Sequence, residues 1–322
     1  MAKAIRMHET GGPEVLRWED YEPGQPGPGE ALLRHEAVGL NFIDVYHRTG
    51  LYPVGSLPAI PGMEGAGMVE AIGEAVSEVE VGDRVAYAGL PPGAYAEVRI
   101  MPADRLVKLP ESISTHQGAA MMLQGMTARY LLRGCYEVKA GDSILIHAAA
   151  GGVGLIACQW AKHLGATVIG TVGSPQKAEL AQNHGCDQPI LYREEDFVSR
   201  VKEITNGRGV DVVYDSIGET TFMKSLDCLR PMGMIVSFGQ ASGPIPPMDI
   251  SILAAKGSLF LTRPSLMAYT AERQDLLAHA QNLFEVVERG AVKIEIHQTY
   301  PCLLYTSPSP RDFSCNRVCR RG

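Results

Sequence analysis

The sequence predicts an α/β protein in which a doubly wound parallel sheet is joined to a second, mostly-β domain. Two observations support this prediction. Strand-like and helix-like segments alternate from about residue 143 onward, and short strand-like runs separated by Gly- and Pro-rich turns fill the chain before residue 123. Alternating strands and helices are typical of parallel sheets covered by helices, whereas repeated short strands are typical of compact β domains. A length of 322 residues with 45% hydrophobic content is sufficient for two cores.

The alternating part begins with a glycine-rich turn. Residues 143–147 form an apolar, strand-like run, residues 148–154 read Ala-Ala-Ala-Gly-Gly-Val-Gly, and apolar residues then recur at helical spacing. Gly151 permits close approach of a pyrophosphate and Gly154 permits close packing of helix on strand, although Ala149 replaces the first glycine of the strict fingerprint. The N-terminus of the helix favours an anion. The turn therefore predicts a dinucleotide site, and the alternative is a tight turn between a core strand and a core helix.

The next strand indicates which dinucleotide is bound. The helix ends at Gly165, and the strand at 166–172 leads to Gly173, Ser174 and Lys177. The fingerprint expects an acid there, which would hold the ribose 2′-hydroxyl. No acid is present, and Ser174 is instead a helix N-cap followed by a proline at the first helical position. Since Ser174 and Lys177 can bind a 2′-phosphate, the sequence favours NADPH over NADH. The alternative for Lys177 is a solvated helix lysine.

The other elements follow from periodicity and turn residues. The predicted strands of the first part are residues 3–7, 31–39, 68–72, 84–88 and 94–100. The second part is predicted to contain a helix at 115–134, a helix at 197–204, a strand at 210–215, a helix at 220–229 and strands at 234–238 and 258–261.

Composition excludes several classes of function. A net charge of −7 and a pI near 5.7 argue against nucleic acid as the main partner, because phosphate backbones need a basic surface. The first twelve residues lack the apolar core of a signal peptide, and no apolar run could span a bilayer, so we expect no membrane partner and a cytoplasmic protein. The seven cysteines form no C-x-x-C pair and read as reduced side chains.

Several motifs together resemble one family. They are Asn41-Phe-Ile-Asp44, Gly50-Leu-Tyr-Pro53, Gly82-Asp-Arg-Val85, the glycine turn and Tyr214-Asp-Ser216. Over residues 1 to about 301 the chain resembles the zinc-independent quinone oxidoreductases, the zeta-crystallin-like branch of the medium-chain dehydrogenase/reductase superfamily. The resemblance implies a homodimer that reduces quinones or other conjugated carbonyls with NADPH. It also implies a GroES-like catalytic domain at 1–123, an NADPH-binding Rossmann domain at 124–262 and a return to the catalytic domain at 263–301.

Zinc is not expected. Zinc-dependent relatives carry a Gly-His-Glu motif, and the corresponding residues are Gly62, Met63 and Glu64. A thioether is a poor zinc ligand, and no cysteine precedes Cys135 to form a structural zinc site. Glu64 is therefore interpreted as a hydrogen-bonded structural carboxylate. Without a metal, hydride delivery to an electron-poor acceptor is favoured over alcohol oxidation.

The resemblance also implies roles for single residues. Asn41 corresponds to a residue near the nicotinamide and the catalytic pocket, or it is a turn Asn bonded to local backbone. Tyr46 and Tyr52 are candidate donors in the pocket, or packing residues of a Gly/Pro loop. Tyr130 corresponds to a cofactor contact, or is a core aromatic. The remaining cofactor-binding candidates are Gly151, Gly152 and Val153 at the pyrophosphate, Gly173, Ser174, Lys177 and Tyr192 at the 2′-phosphate, and Ser216, Phe238, Gly239, Arg263 and Ser265 at strand ends.

The end of the chain departs from the family pattern. From Cys302 the sequence resembles a translated sequencing adaptor, and residues 313–322 lack periodicity. Residues 302–322 are therefore predicted to be a non-native tail and are excluded from the fold prediction, and the alternative is a genuine divergent tail.

Three functions stay open from sequence alone. The first is an NADPH-dependent quinone reductase, and the second is an enone or enoyl-thioester reductase of the same fold. The third is a non-enzymatic NADPH-binding protein of the crystallin or RNA-associating kind, which the acidic composition disfavours.

Overall fold

The computed structural model describes residues 1–301 and 317–320 of the chain. The described residues belong to two compact units. Unit 1 comprises Met1–Met126, Thr270–Glu288 and the chain from Ile294 onward, and unit 2 comprises Thr127–Tyr269 and Arg289–Lys293. The first segment of unit 1 thus ends three residues later than the sequence-based division at 123, and the chain returns at Thr270 rather than at 263.

Unit 1 is built mainly from antiparallel strands. Its strands are β1 (Ala2–Met7), β2 (Leu16–Tyr21), β3 (Glu30–Gly39), β4 (Glu64–Ile72), β5 (Arg84–Ala88), β6 (Val98–Pro102), β7 (Val107–Lys108), β14 (Gln298–Pro301) and β15 (Arg317–Arg320). Its helices are α1 (Phe42–Thr49), most of α2 (Thr115–Tyr130) and α9 (Arg273–Glu288). The predicted strands at 3–7, 31–39 and 84–88 are confirmed, whereas β4 begins four residues before the predicted 68 and β6 lies later than the predicted 94–100.

The larger sheet of unit 1 has seven strands in the order β14-β15-β3-β4-β5-β7, with β6 also paired to β3. β15 is antiparallel to β3 and parallel to β14. Arg317–Arg320 of the predicted tail thus form a strand of this sheet, and the non-native origin of residues 302–322 stays a prediction. Backbone pairing with β3 and β14 forms this strand, and backbone pairing leaves no periodicity in the sequence.

The core of unit 1 lies between its sheets and loops. Leu33, Val85, Tyr87 and Leu106 are fully buried members of one apolar cluster. Helix α1 follows β3 directly and was not predicted, because its apolar residues are interrupted by Asp44, His47 and Arg48, all of which are buried. This buried polar helix is where the candidate catalytic residues of unit 1 lie.

Unit 2 is a six-stranded parallel sheet. Its strands are β8 (Ser143–Ile146), β9 (Thr167–Val172), β10 (Gln188–Leu191), β11 (Val210–Asp215), β12 (Leu229–Ser237) and β13 (Phe260–Thr262), and its helices after α2 are α3 (Gly152–His163), α4 (Pro175–Asn183), α5 (Phe197–Ile204), α6 (Phe222–Ser225), α7 (Ser251–Ala255) and α8 (Leu266–Tyr269). The strand order β10-β9-β8-β11-β12-β13 is 3-2-1-4-5-6 counted within the unit, the order of the Rossmann fold. The predicted doubly wound parallel sheet is confirmed.

One predicted helix of unit 2 is much shorter than expected. Residues 220–229 form only the short α6 and a turn of 3₁₀ helix at Leu226–Cys228. The cause is Asp215, whose buried carboxylate accepts hydrogen bonds from the backbone N–H groups of Ile217 and Gly218 and from the Thr221 hydroxyl. These bonds hold residues 216–221 as a turn, and the helix starts only after it.

In the described residues, no helix combines the length and the apolar character needed to cross a membrane.

Candidate active site

The glycine turn of unit 2 joins β8 to α3. Ala148 adopts a left-handed backbone conformation with φ of 54°, and Gly151 is the N-cap of α3. A Cβ at residue 154 would lie 2.6 Å from the Ala149 carbonyl oxygen, which is closer than atoms can pack. A Cβ at residue 151 would lie 3.1 Å from the Ala148 carbonyl oxygen. Gly154 is thus required for close packing of helix on turn, as predicted, and the surface at Gly151 stays open at the positive end of a twelve-residue helix.

The end of β9 carries the groups predicted for a 2′-phosphate. Ser174 is the N-cap of α4, and its hydroxyl accepts a hydrogen bond of 3.3 Å from the Lys177 backbone N–H, which confirms the predicted cap. No carboxylate in the described part of the chain forms an ion pair with Lys177. Tyr192 is 49% exposed, and its hydroxyl lies 3.1 Å from where a Cβ of residue 173 would stand. Ser174 and Lys177 therefore share one turn, and the Tyr192 hydroxyl lies beside it.

The other candidates of unit 2 follow the carboxyl ends of neighbouring strands. Ser216 follows β11, Phe238 and Gly239 follow β12, and Arg263 follows β13. The Phe238 N–H donates to the Asp215 carbonyl oxygen, and the Arg263 guanidinium donates to the Ser237 carbonyl oxygen at 2.8 Å. Because these strands are parallel neighbours, their carboxyl ends share one edge of the sheet with the glycine turn and the end of β9. Ligands of open parallel sheets bind along this edge.

Two more cofactor-binding candidates of unit 2, Tyr130 and Ser265, make contacts within the protein. Tyr130, at the end of α2, is 3% exposed and stacks on Tyr269, with ring centroids 4.9 Å apart and an angle of 9° between the rings. Burial raises the pKa of its phenol. The core interpretation of Tyr130 agrees with this placement. Ser265 is exposed and its carbonyl oxygen accepts the N–H groups of Ala268 and Tyr269 at the start of α8.

In unit 1, Asn41 lies at the start of α1 and belongs to a chain of polar side chains. Its Nδ2 donates to Glu64 Oε2 at 2.7 Å, and its Oδ1 accepts from Gln124 Nε2 at 3.0 Å. The other Glu64 oxygen accepts from the Leu123 N–H at 2.8 Å. Glu64 is 0% exposed and Gln124 is 8% exposed, whereas Asn41 is only partly buried. The Asn41 side chain therefore bonds to two side chains far along the sequence, and it also forms a capping box with Asp44, in keeping with the local-backbone alternative.

Burial changes the acidity of the carboxyls around Asn41. Desolvation raises the pKa of Glu64 to about 8, against the opposing effect of the N–H groups of Asn41 and Leu123. Desolvation also raises the pKa of Asp44 to about 7, although Asp44 accepts hydrogen bonds from the Tyr95 hydroxyl at 2.5 Å and from the Asn41 N–H at 2.9 Å. These contacts confirm that Glu64 is hydrogen-bonded, whereas its predicted purely structural role stays a prediction.

Tyr46 and Tyr52 form an aromatic cluster with Phe42 on α1 and the loop that follows it. The Tyr46 ring lies 5.3 Å from Phe42 and 5.0 Å from Tyr52, measured between ring centroids. Tyr46 is 9% exposed, and Tyr52 is half-buried. Packing accounts for Tyr46, and Tyr52 keeps more of its phenol available to a ligand.

The residues that replace a zinc motif are buried. Met63 is 1% exposed and precedes Glu64 at the start of β4. Within residues 1–301 and 317–320, no group of three or more His, Cys, Asp or Glu side chains is placed to hold a metal ion. The absence of zinc from the purified protein stays a prediction, which metal analysis would test.

Comparison with known proteins assigns the class of the chain. Residues 27–111 match the family model of the alcohol dehydrogenase GroES-like domain, and residues 152–281 match that of the zinc-binding dehydrogenases. Together with the Rossmann strand order, these matches define a medium-chain dehydrogenase/reductase, an oxidoreductase.

Individual relatives specify the family. The chain is 53% identical over 300 residues to a quinone oxidoreductase of Pseudomonas aeruginosa, covering 93% of this chain and 92% of that protein. It is 47% identical over 307 residues to a 2-haloacrylate reductase of Burkholderia, covering 94% and 92%. The crystal structure of the Escherichia coli quinone oxidoreductase complexed with NADPH superposes with a TM-score of 0.95 at 46% identity, over 99% of this chain and all of that one. The chain belongs to the quinone oxidoreductase family.

Sequence reasoning missed Gln124 and the link between Glu64 and Asn41. Gln124 interrupts the apolar run Ala-Ala-Met-Met-Leu before it, and a polar residue in an apolar helix needs a hydrogen-bond partner. That signal indicates a polar contact, but the partner follows only from the fold, because Asn41 is 83 residues away.

Proposed function

We propose that this chain is an NADPH-dependent quinone oxidoreductase that transfers a hydride from NADPH to a quinone. The observation that carries the proposal is the pair of Ser174 and Lys177 at the end of β9, next to the N-terminus of α3. No acid is present in this turn, and the chain that contains it belongs to the quinone oxidoreductase family. The relatives named as quinone oxidoreductases and the related structure complexed with NADPH support it.

The residues along the carboxyl edge of the unit 2 sheet would hold the cofactor. Gly151, Gly152 and Val153 would contact the pyrophosphate at the N-terminus of α3, where unpaired N–H groups attract an anion. Gly173, Ser174, Lys177 and Tyr192 would bind the 2′-phosphate through the hydroxyl and the ammonium. Ser216, Phe238, Gly239, Arg263 and Ser265 would supply the remaining contacts of unit 2. Asn41 in unit 1 and the buried Tyr130 are the other cofactor-binding candidates.

The chemistry needs little from the protein beyond positioning. Bound NADPH supplies the hydride, so that quinone, NADPH and a proton yield hydroquinone and NADP⁺. Asn41 would donate a hydrogen bond to the carbonyl oxygen that gains negative charge. Tyr46 and Tyr52 are the candidate catalytic phenols, and Tyr52 is the more accessible of the two. The proton reaches the hydroquinone from such a donor or from water.

The proposal also assigns a role to each domain. Residues 1–123 and 263–301 would form the catalytic domain and residues 124–262 the NADPH-binding domain, with residues 302–322 outside the natural protein. We also propose a cytoplasmic homodimer that binds neither membrane nor nucleic acid, in keeping with the net charge of −7. Light scattering coupled to gel filtration would test the dimer, and a monomeric mass would contradict it.

A second candidate is reduction of an activated alkene. The 47% identity to a protein named 2-haloacrylate reductase favours it, because an acrylate accepts a hydride at carbon as a quinone does. An enone or an enoyl thioester belongs to the same chemical class.

One assay separates these functions. NADPH oxidation would be followed with 1,4-benzoquinone, a naphthoquinone, an alkyl enone and 2-chloroacrylate. Quinone reduction with the largest kcat/KM supports the first function, and a preference for the enone or acrylate supports the second. NADPH binding without turnover of any acceptor would contradict both.

A further inference from the structure

A buried carboxyl and two amides form one chain of hydrogen bonds in unit 1. Its links are Leu123 N–H to Glu64 Oε1 at 2.8 Å, Asn41 Nδ2 to Glu64 Oε2 at 2.7 Å, and Gln124 Nε2 to Asn41 Oδ1 at 3.0 Å. Glu64 and Gln124 are buried, whereas Asn41 is partly exposed. Both polar atoms of the partly exposed Asn41 amide are therefore hydrogen-bonded to buried side chains.

The fold accommodates this chain of hydrogen bonds at a cost in stability. A Cβ at residue 39 would lie 2.7 Å from Glu64 Cδ, so the last residue of β3 has to be glycine where the carboxyl packs. In the described part of the molecule no cation pairs with Glu64, and an unpaired buried carboxyl destabilises a fold. Gln124 Oε1 is buried and has no hydrogen-bond partner among the described residues. Stability alone does not account for such an arrangement.

The direction of the chain is decided at Glu64. A side-chain amide has one donor end and one acceptor end, and its orientation follows from its hydrogen-bond partners. Because an ionised Glu64 offers only acceptor oxygens, Asn41 turns Nδ2 towards it and Oδ1 towards Gln124, and the kinetic tests below are made above pH 8, where Glu64 is ionised. A donor in place of that oxygen would reverse Asn41, and Asn41 would then reverse Gln124.

We propose that Glu64 and Gln124 are positioning residues, which hold the Asn41 amide so that its second Nδ2–H meets the carbonyl oxygen of the conjugated substrate. This inference rests on the function proposed above. Negative charge develops on that oxygen as the hydride adds to the substrate, and a donor fixed beforehand stabilises it without reorganisation. If the Asn41 amide were reversed, a lone pair of Oδ1 would face the substrate oxygen in place of the Nδ2–H.

Glu64→Gln tests the orientation directly. The new side chain has the same shape, its oxygen stays on the Leu123 N–H, and its NH₂ faces Asn41, so the chain reverses. We expect kcat with 1,4-benzoquinone to fall about a hundredfold, the loss typical of one oxyanion donor. The Kd of NADPH, measured by fluorescence, should change by less than about threefold, because the phosphate site in unit 2 is untouched. An unchanged kcat would overturn the inference.

A double variant separates positioning from stability. In Glu64→Gln with Asn41→Asp, the two aspartate oxygens accept from both neighbouring amides, so every hydrogen bond of the chain is restored. We expect the melting temperature to return towards that of the wild type while kcat stays low, because residue 41 no longer carries an N–H. Recovery of kcat together with the melting temperature would mean that Glu64 is only structural, and would overturn the inference.

Asp44→Asn is the matched control. It also converts a buried acid on the same helix into an amide, but the Asp44 carboxylate bonds to the backbone N–H of Asn41 and not to the Asn41 side chain. We expect kcat within about threefold of the wild type, and a loss as large as that of Glu64→Gln would overturn the specific role of Glu64. Wild-type protein that reduces no quinone would contradict the proposed function instead, so the two failures are distinct.

Discussion

At the scale of single residues, we propose that Lys177 decides the choice between the two nicotinamide dinucleotides. Lys177 and Ser174 belong to one turn, and residues 173–177 include no acid that would repel a 2′-phosphate. Lys177→Ala should remove about 1 to 3 kcal/mol of the preference for NADPH, the range for hydrogen bonds to charged groups. Kd values for NADPH and NADH by fluorescence titration would check this. Lys202→Ala, at an exposed position of α5, is the control, and equal losses in the two variants would contradict the assignment.

Glu64 should make the stability of the protein depend on pH. Burial raises its pKa from 4.5 to about 8, so between these values the folded state holds more protons than the unfolded state. Its stabilising contribution is complete below the unfolded pKa and is lost as the pH rises through 8. His35 acts in the opposite direction below pH 6.5, because burial lowers its pKa to about 4 and the unfolded state then binds more protons.

The informative window therefore runs from pH 6.5 to 8. Denaturant melts of the wild type should lose stability across it, by at most about 1.4 kcal/mol per pH unit for Glu64. Asp44, with a pKa raised to about 7, adds to the loss in the lower part of the window. Glu64→Gln should flatten the slope, whereas Glu74→Gln, at an exposed position, should keep it. The same slope in Glu64→Gln as in the wild type would contradict the burial of a titrating Glu64.

At the scale of elements, the sequence predicted the parts whose chemistry is local. The turn at 148–154 and the cap at Ser174 are encoded by glycines and a cap residue adjacent in sequence, and both were predicted correctly. α1 was missed because buried polar residues interrupt its apolar pattern, and one of them, Asp44, has its partner Tyr95 far along the chain. The contact between Asn41 and Glu64 could not be predicted for the same reason. Long-range partners leave no periodicity in the sequence.

The turn between β8 and α3 makes a prediction that separates two glycines. In Gly154→Ala the new methyl group would lie 2.6 Å from the Ala149 carbonyl oxygen, and overpacking should destabilise the fold by about 1 to 3 kcal/mol. In Gly151→Ala the backbone has an ordinary φ of −82° and the nearest atom lies 3.1 Å away, so stability should change less. Gly151→Ala should instead weaken NADPH binding, because its methyl group stands at the N-terminus of α3. Thermal melts and NADPH titrations of both variants check this, and the reverse pattern would contradict the assignment.

At the scale of the whole molecule, the two units should respond independently to changes at the end of the chain. β15 pairs with β3 over three residues and with β14 over four, and all three strands belong to unit 1. The residues proposed to bind the phosphates lie in unit 2, whose strands all precede residue 263. A change at residues 317–320 should therefore affect folding of unit 1 and leave NADPH affinity intact.

Removal of residues 302–322 tests this separation. Without β15, backbone groups of β3 and β14 lose their partners, and each lost hydrogen bond costs about 0.5 to 1.5 kcal/mol. We expect a lower melting temperature, a smaller soluble yield and an unchanged Kd for NADPH. Val318→Pro is the matched full-length variant, because proline removes one backbone donor from β15 and should lower the melting temperature by less than the truncation does. A truncated chain that melts like the full one would mean that β15 contributes nothing to stability, and that the sequence-based exclusion of the tail from the fold was right.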